Sequence, residues 1–312
     1  MSFFEMQDQE GRIRACYAEV NRWIEETGVQ GLHTRLDEAE AIFRRIGITF
    51  AVYGEGGDPE RLIPFDLLPR IFNRMEWQRL DAGIRQRAQA LNAFLYDVYH
   101  RGEILRAGLI PSELVYQNEA FRPEMVGFDP PGRVYSHIVG IDIVRTGPEQ
   151  FEVLEDREIM TRMFPDLFRR GKVLPVDTYP AELLRTLKEV APPACTGDPV
   201  VVLLTPGSLN SAYYEHSFLA DLMGIELVEP VDLFVENGRV WKKTTAGPKV
   251  VDVIYRRIDD DYIDPLAFRP DSLLGIPGLF HAYRNGGVTI CSAPGAGIAD
   301  DKAIYVYVPD MI

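Results

Sequence analysis

The segment from Val200 to Glu229 restricts the folds open to this chain more than any other. Val200–Leu204 is an unbroken aliphatic run, the pattern of a buried strand. TPGSLNS follows it, then a helical stretch from Ala212 to Met223, then a second apolar run from Ile225 to Glu229. Strand, crossover helix and strand predict two parallel strands in one sheet. The turn after the first strand of such a unit is a common ligand position. Asn210, Ser211, Tyr213 and Glu215 are the polar candidates there. One glycine in that turn carries little weight, and loop polarity alone also accounts for those residues.

Further along, Leu233–Trp241 reads as a hairpin with an Asn-Gly turn. Val250–Ile258 reads as one strand ending in IDDDYID. Arg256 and Arg257 then point to opposite faces, so only one can face a site. Three aspartates beside two arginines fit a substrate clamp, a metal site or a solvated loop. Consecutive aspartates converge on one ion only if the backbone turns. Ser292–Lys302 is Gly-rich and then acidic. It is not a phosphate loop, because Lys302 lies well past Gly297 and no hydroxyl residue follows it. Asp300 or Asp301 can cap a helix beginning near Lys302.

Upstream, the apolar spacing predicts helices over 12–26, 36–46, 81–100 and 181–190, with His100 as a C-terminal cap. Ile48–Tyr53 reads as a short strand before a plain GEGGDP turn, and APPACTGDP as a linker. Arg122 and Glu124 form a charged pair beside Pro123, for which a surface salt bridge is one reading. Tyr135–Asp156 reads as a hairpin: strands Tyr135–Arg145 and Gln150–Asp156 around a turn at Thr146–Glu149. With an even loop, Asp142 lies opposite Val153, and Glu155 falls diagonally across on the same face, about 7–8 Å away at Cα. Two carboxylates at that spacing can share one Mg²⁺. An odd loop would separate them.

The net charge of −14 argues against a broad nucleic-acid surface and against acidic lipid, though a few local cations suffice for ATP. The three cysteines are far apart, with no metal-ligand spacing, which fits a reducing cytoplasm. The N-terminus shows no signal-peptide pattern, and no apolar run is long enough to span a membrane.

Several segments together carry a resemblance: FRPEMVG, HIVGIDIVR, VLED, FPDLF, TPG-x-x-NSAYYEHSFLA, DVIYRRIDDD, FRPDSLLGIPGL and APGAGIADDKAIYVYVPDMI. From about Phe50 to Ile312 the chain resembles the circularly permuted ATP-grasp proteins (type 2), relatives of glutathionylspermidine synthase. The resemblance implies an α/β fold with α+β elements, multi-domain, ATP-grasp-like and incomplete in this chain. The expected division is a helical region over 1–105, an ATP-grasp-like part with the hairpin over 106–197, an α/β substrate domain over 198–289, and the start of a second ATP-grasp part over 290–312.

The implied activity is ATP-dependent joining of a carboxylate to an amine through an acyl phosphate. ATP and Mg²⁺ are the implied cofactors, and a small-molecule or peptide carboxylate and an amine the substrates. By the same likeness, Asp142 and Glu155 match acidic metal ligands, Lys302 a nucleotide-contacting lysine, and Arg256 or Arg257 a residue holding phosphate or substrate carboxylate. Transglutaminase-like or helical-domain proteins are the implied pathway partners. The chain departs from its relatives in two places. After VLED they continue with an asparagine and a Gly-containing loop, so about a dozen residues are expected to be absent beyond Asp156. They also continue past Ile312 with another lysine and a Gly-rich segment. Two alternatives follow: a catalytically incomplete relative that binds nucleotide or a protein partner, and a structural α/β protein with solvated carboxylates.

Overall fold

One buried aspartate divides what reads as a single strand into two, and each half joins a different sheet. The computed structural model describes residues 4–8, 10–46, 49–51, 60–62, 66–140, 142–147, 150–153 and 178–312, and in the four strands between residues 49 and 153 it defines the backbone. The chain forms two units, Met1–Ile84 with Gly140–Thr178, and Arg85–Val139 with Tyr179–Ile312.

The first unit holds helix α1 (Ala18–Ile46), interrupted at Gly28, whose φ of 67° lies outside helical space. Strands β1 (Thr49–Ala51) and β2 (Glu60–Leu62) pair antiparallel. Helix α2 (Arg74–Tyr99) begins seven residues earlier than Asp81, because Asn73 and Glu76 form a reciprocal cap. Its residues from Arg85 onward belong to the second unit. The first strand of the hairpin starts later than expected: β3 covers Asp142–Gly147, and it pairs with β4, described over Gln150–Val153. Tyr135 lies outside β3 and is fully buried in the second unit, where its hydroxyl donates to the Phe128 carbonyl (3.1 Å). Core burial of that ring therefore explains its apolar neighbourhood.

In the second unit, helix α3 (Tyr179–Glu189) precedes β5 (Val201–Leu204), crossover helix α4 (Tyr213–Met223) and β6 (Glu226–Val228). A meander of β7 (Leu233–Glu236), β8 (Arg239–Lys242) and β9 (Lys249–Val251) follows, with Asn237 and Gly238 at positive φ in its first turn. Then come β10 (Val253–Arg256) and β11 (Thr289–Cys291). The larger sheet runs β11-β10-β5-β6, all parallel.

The expected single strand over 250–258 breaks at Asp252. Its carboxylate accepts the Val200 N–H (3.0 Å) and pairs with Arg239 (2.8 Å), while its backbone bonds Val200 and Thr289. Satisfying that carboxylate turns the chain out of the meander and into the parallel sheet.

Alternate residues of the parallel strands fill two cores. Val201, Leu203, Val253 and Tyr255 pack with Leu183 and Leu187 of α3 and Ala220 and Met223 of α4. Val202, Leu204, Ile254 and Ile290 pack on the other face with Leu95, Tyr99, Tyr135 and Tyr283. Each such side chain contributes about 1.5–3 kcal/mol. The chain leaves β5 toward β6 on one side and returns as β10 on the other, so the order reverses between β5 and β10. Open parallel sheets bind ligands beyond the strand C-termini at such a point.

Candidate functional site

A cleft of about 310 Å³ lies at that reversal, lined by Asn210, Ala212 and His216 from the segment after β5, and by Arg256, Arg257, Ile258 and Asp259 from the end of β10. Asn210 Oδ1 accepts the Ala212 N–H (2.9 Å), which fixes the amide so that Nδ2 carries two donors. His216 sits in the first turn of α4, its Nδ1 3.0 Å from Thr205 Oγ1. That buried hydroxyl also accepts the Gly207 N–H (3.3 Å). Burial, then the Arg257 charge, push His216 down to about 4, so its ring is neutral at physiological pH.

Arg256 and Arg257 leave the strand on opposite faces, as the alternation predicts, yet both reach the cleft. Their environments differ. Arg256 donates from Nε to the Ser292 carbonyl (2.8 Å), from Nη1 to the Ile258 carbonyl (2.6 Å), and pairs with Asp260. Its fork is filled by protein. Arg257 meets Glu215 (2.7 Å) and the Tyr255 hydroxyl (3.3 Å), and its side chain is 30% exposed. Arg257 is the arginine with room for a ligand.

The aspartate run serves structure. Asp260 accepts the Gly295 N–H (2.7 Å) and pairs with Arg256, Asp261 meets Arg122 (2.7 Å), and exposed Asp259 begins the turn. The backbone turn disperses the three carboxylates. Arg122 therefore does not form the expected surface pair with Glu124. It lies half-buried, 3.7 Å from Asp260. Asp264 accepts the Gly278 and Phe280 N–H groups at the start of a short helix.

Lys302 begins a one-turn helix, Lys302–Tyr305, whose cap is Asp301: that side chain accepts the Ala303 N–H (2.8 Å) and is held by Asn118 (2.7 Å). The lysine is exposed, with no hydrogen bond or ion pair among the described residues. The backbone of Asp142 pairs with Val153, in the expected register, but Ile143 also pairs with Val153, a bulge. Glu155 and the Asp156–Arg157 junction lie outside the described residues. Among the described residues no three acidic, His or Cys side chains cluster as a metal site. Asp142 falls in the first unit, and Arg256, Arg257 and Lys302 in the second.

Thr205 and His216 are the site residues that residue-type reasoning passed over. The available signal was helical spacing: Ala212 and His216, four apart, share the helix face nearest the turn.

Residues 69–312 match a family described as "A circularly permuted ATPgrasp". An uncharacterized protein of Synechocystis is 45% identical over 97% of this chain and 66% of its own length. An uncharacterized protein of Mycobacterium tuberculosis is 45% identical over 100% of this chain and 58% of its own. A Frankia alni protein provisionally named glutamate–cysteine ligase 2-3 is 38% identical over 99% of this chain and 37% of its own. This chain thus spans less than two thirds of these relatives. The alignment with the M. tuberculosis protein runs over 326 positions against 312 residues here, so 326 − 312 leaves at least 14 with no counterpart in this chain. The apo structure of a glutathione synthetase-like effector from Globodera pallida superposes with a TM-score of 0.50 at 13% identity, over 90% of this chain and 67% of that one, a likeness of fold. Among the described residues no helix is long and apolar enough to cross a membrane.

Proposed function

The chain belongs to the circularly permuted ATP-grasp family, and from that premise we propose that it is part of an ATP-dependent carboxylate–amine ligase. The family match over 69–312 carries the reading. The provisional ligase names of its Frankia relatives favour amino-acid or peptide substrates over the broader glutathionylspermidine synthase-like class. In this reaction a carboxylate oxygen bonds to the γ-phosphorus as ADP leaves. An amine then bonds to the acyl carbon as phosphate leaves, and its proton passes to solvent or a base.

The residues fit the demand for cations where anions meet. Lys302, exposed and without a partner among the described residues, would hold nucleotide phosphate. Arg257, with part of its guanidinium open to the cleft, would hold the substrate anion. Arg256 would position the 292–302 segment that ends at Lys302. Asp142 and Glu155 would hold Mg²⁺, and Mg-ATP when bound supplies the phosphoryl group and offsets its charge.

The test is ADP release by the full chain with Mg-ATP and a panel of carboxylates and amines. Substrate-dependent ADP is expected, lost in Glu155→Gln. Lys302→Ala should weaken ATP binding about tenfold without changing stability. The 14 or more relative positions without a counterpart here favour one competing reading, a nucleotide-binding relative that does not turn over. ATP binding with no substrate-stimulated ADP would establish that reading instead.

A further inference from the structure

The proton on His216 can be placed from its partners. Thr205 Oγ1 already accepts the Gly207 N–H, and the hydroxyl proton finds no acceptor among the described residues other than His216 Nδ1. Were Nδ1 the donor, a buried hydroxyl proton would be left unpaired. Thr205 therefore donates, Nδ1 accepts, and the ring hydrogen sits on Nε2. That nitrogen has no partner among the described residues and is not among the sealed, partnerless atoms of the interior, so it opens to the cleft. Asn210 adds Nδ2, whose orientation is set by the Ala212 bond. Arg257 adds its guanidinium, already holding one carboxylate, that of Glu215.

The cleft thus offers three kinds of N–H donor around one space. Its formal charges nearly cancel: Arg256 and Arg257 against Glu215, Asp259 and Asp260. A phosphate, which concentrates its charge on one tetrahedral group, gains little there, while a single planar carboxylate group, such as one end of a dicarboxylate, can take N–H donors from two or three sides. We propose that this cleft is a carboxylate receptor in which His216 presents a neutral Nε2–H beside Asn210 and Arg257. That the carboxylate is a substrate's rests on the ligase reading; the receptor itself does not.

The experiment titrates the full chain with glutarate, its neutral diamide and inorganic phosphate, following the His216 ring nitrogens by long-range ¹H–¹⁵N NMR. ATP affinity and substrate-dependent ADP release are measured on the same samples. Glutarate should shift Nε2 saturably, and the diamide and phosphate should not. His216→Phe should weaken glutarate about tenfold, and His216→Gln, which keeps an N–H, no more than about threefold. Asn210→Asp keeps the Ala212 acceptor, and so the fold, but puts a negative charge in the cleft. It should abolish glutarate binding with ATP affinity unchanged. No saturable shift, an equal response to diamide or phosphate, or unchanged glutarate affinity in Asn210→Asp would each overturn the receptor. A glutarate response without ADP release would overturn the ligase reading and leave the receptor. ADP release unaltered in His216→Phe and Asn210→Asp would leave the ligase reading and overturn the assignment of the bound carboxylate to the substrate.

Discussion

Two segments flank the C-terminal end of β10. One, Ser292–Lys302, is rich in glycine; the other, Thr205–Ala212, has a single glycine. Glycine count points to the first as a ligand loop, but its polar groups are turned inward. Arg256 takes the Ser292 carbonyl, Asp260 the Gly295 N–H, the Tyr99 hydroxyl the Gly295 carbonyl, and the Tyr135 carbonyl the Ala293 N–H. The second segment leaves Asn210 Nδ2 for the cleft, beside His216 from the first turn of α4. Glycine in the first segment serves close packing, and the ligand-facing donors come from side chains in the second.

Substitution at the glycines should bring out this difference most strongly. Gly295 has φ +81°, and an added Cβ would fall 2.7 Å from Tyr99 Cζ. That ring is stacked between Phe121 and Tyr135 and cannot retreat. Gly295→Ala should cost about 4 kcal/mol in urea unfolding. Asp260→Asn should follow at about 3 kcal/mol, because it leaves Arg256, 14% exposed, without its charge partner and Arg122 with Asp261 alone. A stability equal to the parent in either variant would show the 292–302 segment to be loosely held.

Acid offers a third comparison, since each segment touches one neutral histidine. The His137 backbone N–H donates to Ser292 Oγ (3.1 Å), and its buried ring nitrogens have no partner among the described residues. Burial pushes His137 down to about 4, opposed weakly by the Tyr135 backbone. Below its ordinary value of 6.5 the unfolded chain takes up a proton that the folded ring refuses. Stability is therefore full above pH 6.5 and falls as pH drops toward about 4, by about 3 kcal/mol. His216, 3% exposed and pushed down first by burial and then by the Arg257 charge, adds to the same fall. His137→Phe should flatten that pH profile, and an unchanged slope would assign it to other groups. The smallest effect should be Gly207→Ala, about 1 kcal/mol. Its φ is +109°, but the added Cβ meets only the Glu229 carboxylate at 3.4 Å, and that side chain can move.

Much of this was legible in residue order where the signal is local. The Val200–Glu229 unit, the Asn-Gly hairpin and the Asp301 cap each depend on neighbours within a few residues. The break at Asp252 was not, because its partners Val200 and Arg239 are set by tertiary structure. β11 is three residues long, too short for periodicity to reveal. The distinction between Arg256 and Arg257 also needed coordinates: alternation separates their faces but cannot say which face is already filled. His216 was hidden by its helix, where a histidine among apolar residues reads as core.

The turn at Asp252 also bears on the order of assembly. Parallel neighbours in the larger sheet are brought together across long stretches of chain, Val253 against Val201 and Thr289, and closing such loops is slow. The meander closes through an Asn-Gly turn and short loops. Since Val251 ends one sheet and Val253 begins the other, a meander formed early would deliver β10 already aligned. The central strand would then enter the parallel sheet as the end of a local, fast-forming structure, and the slow search would be left to β5 and β11.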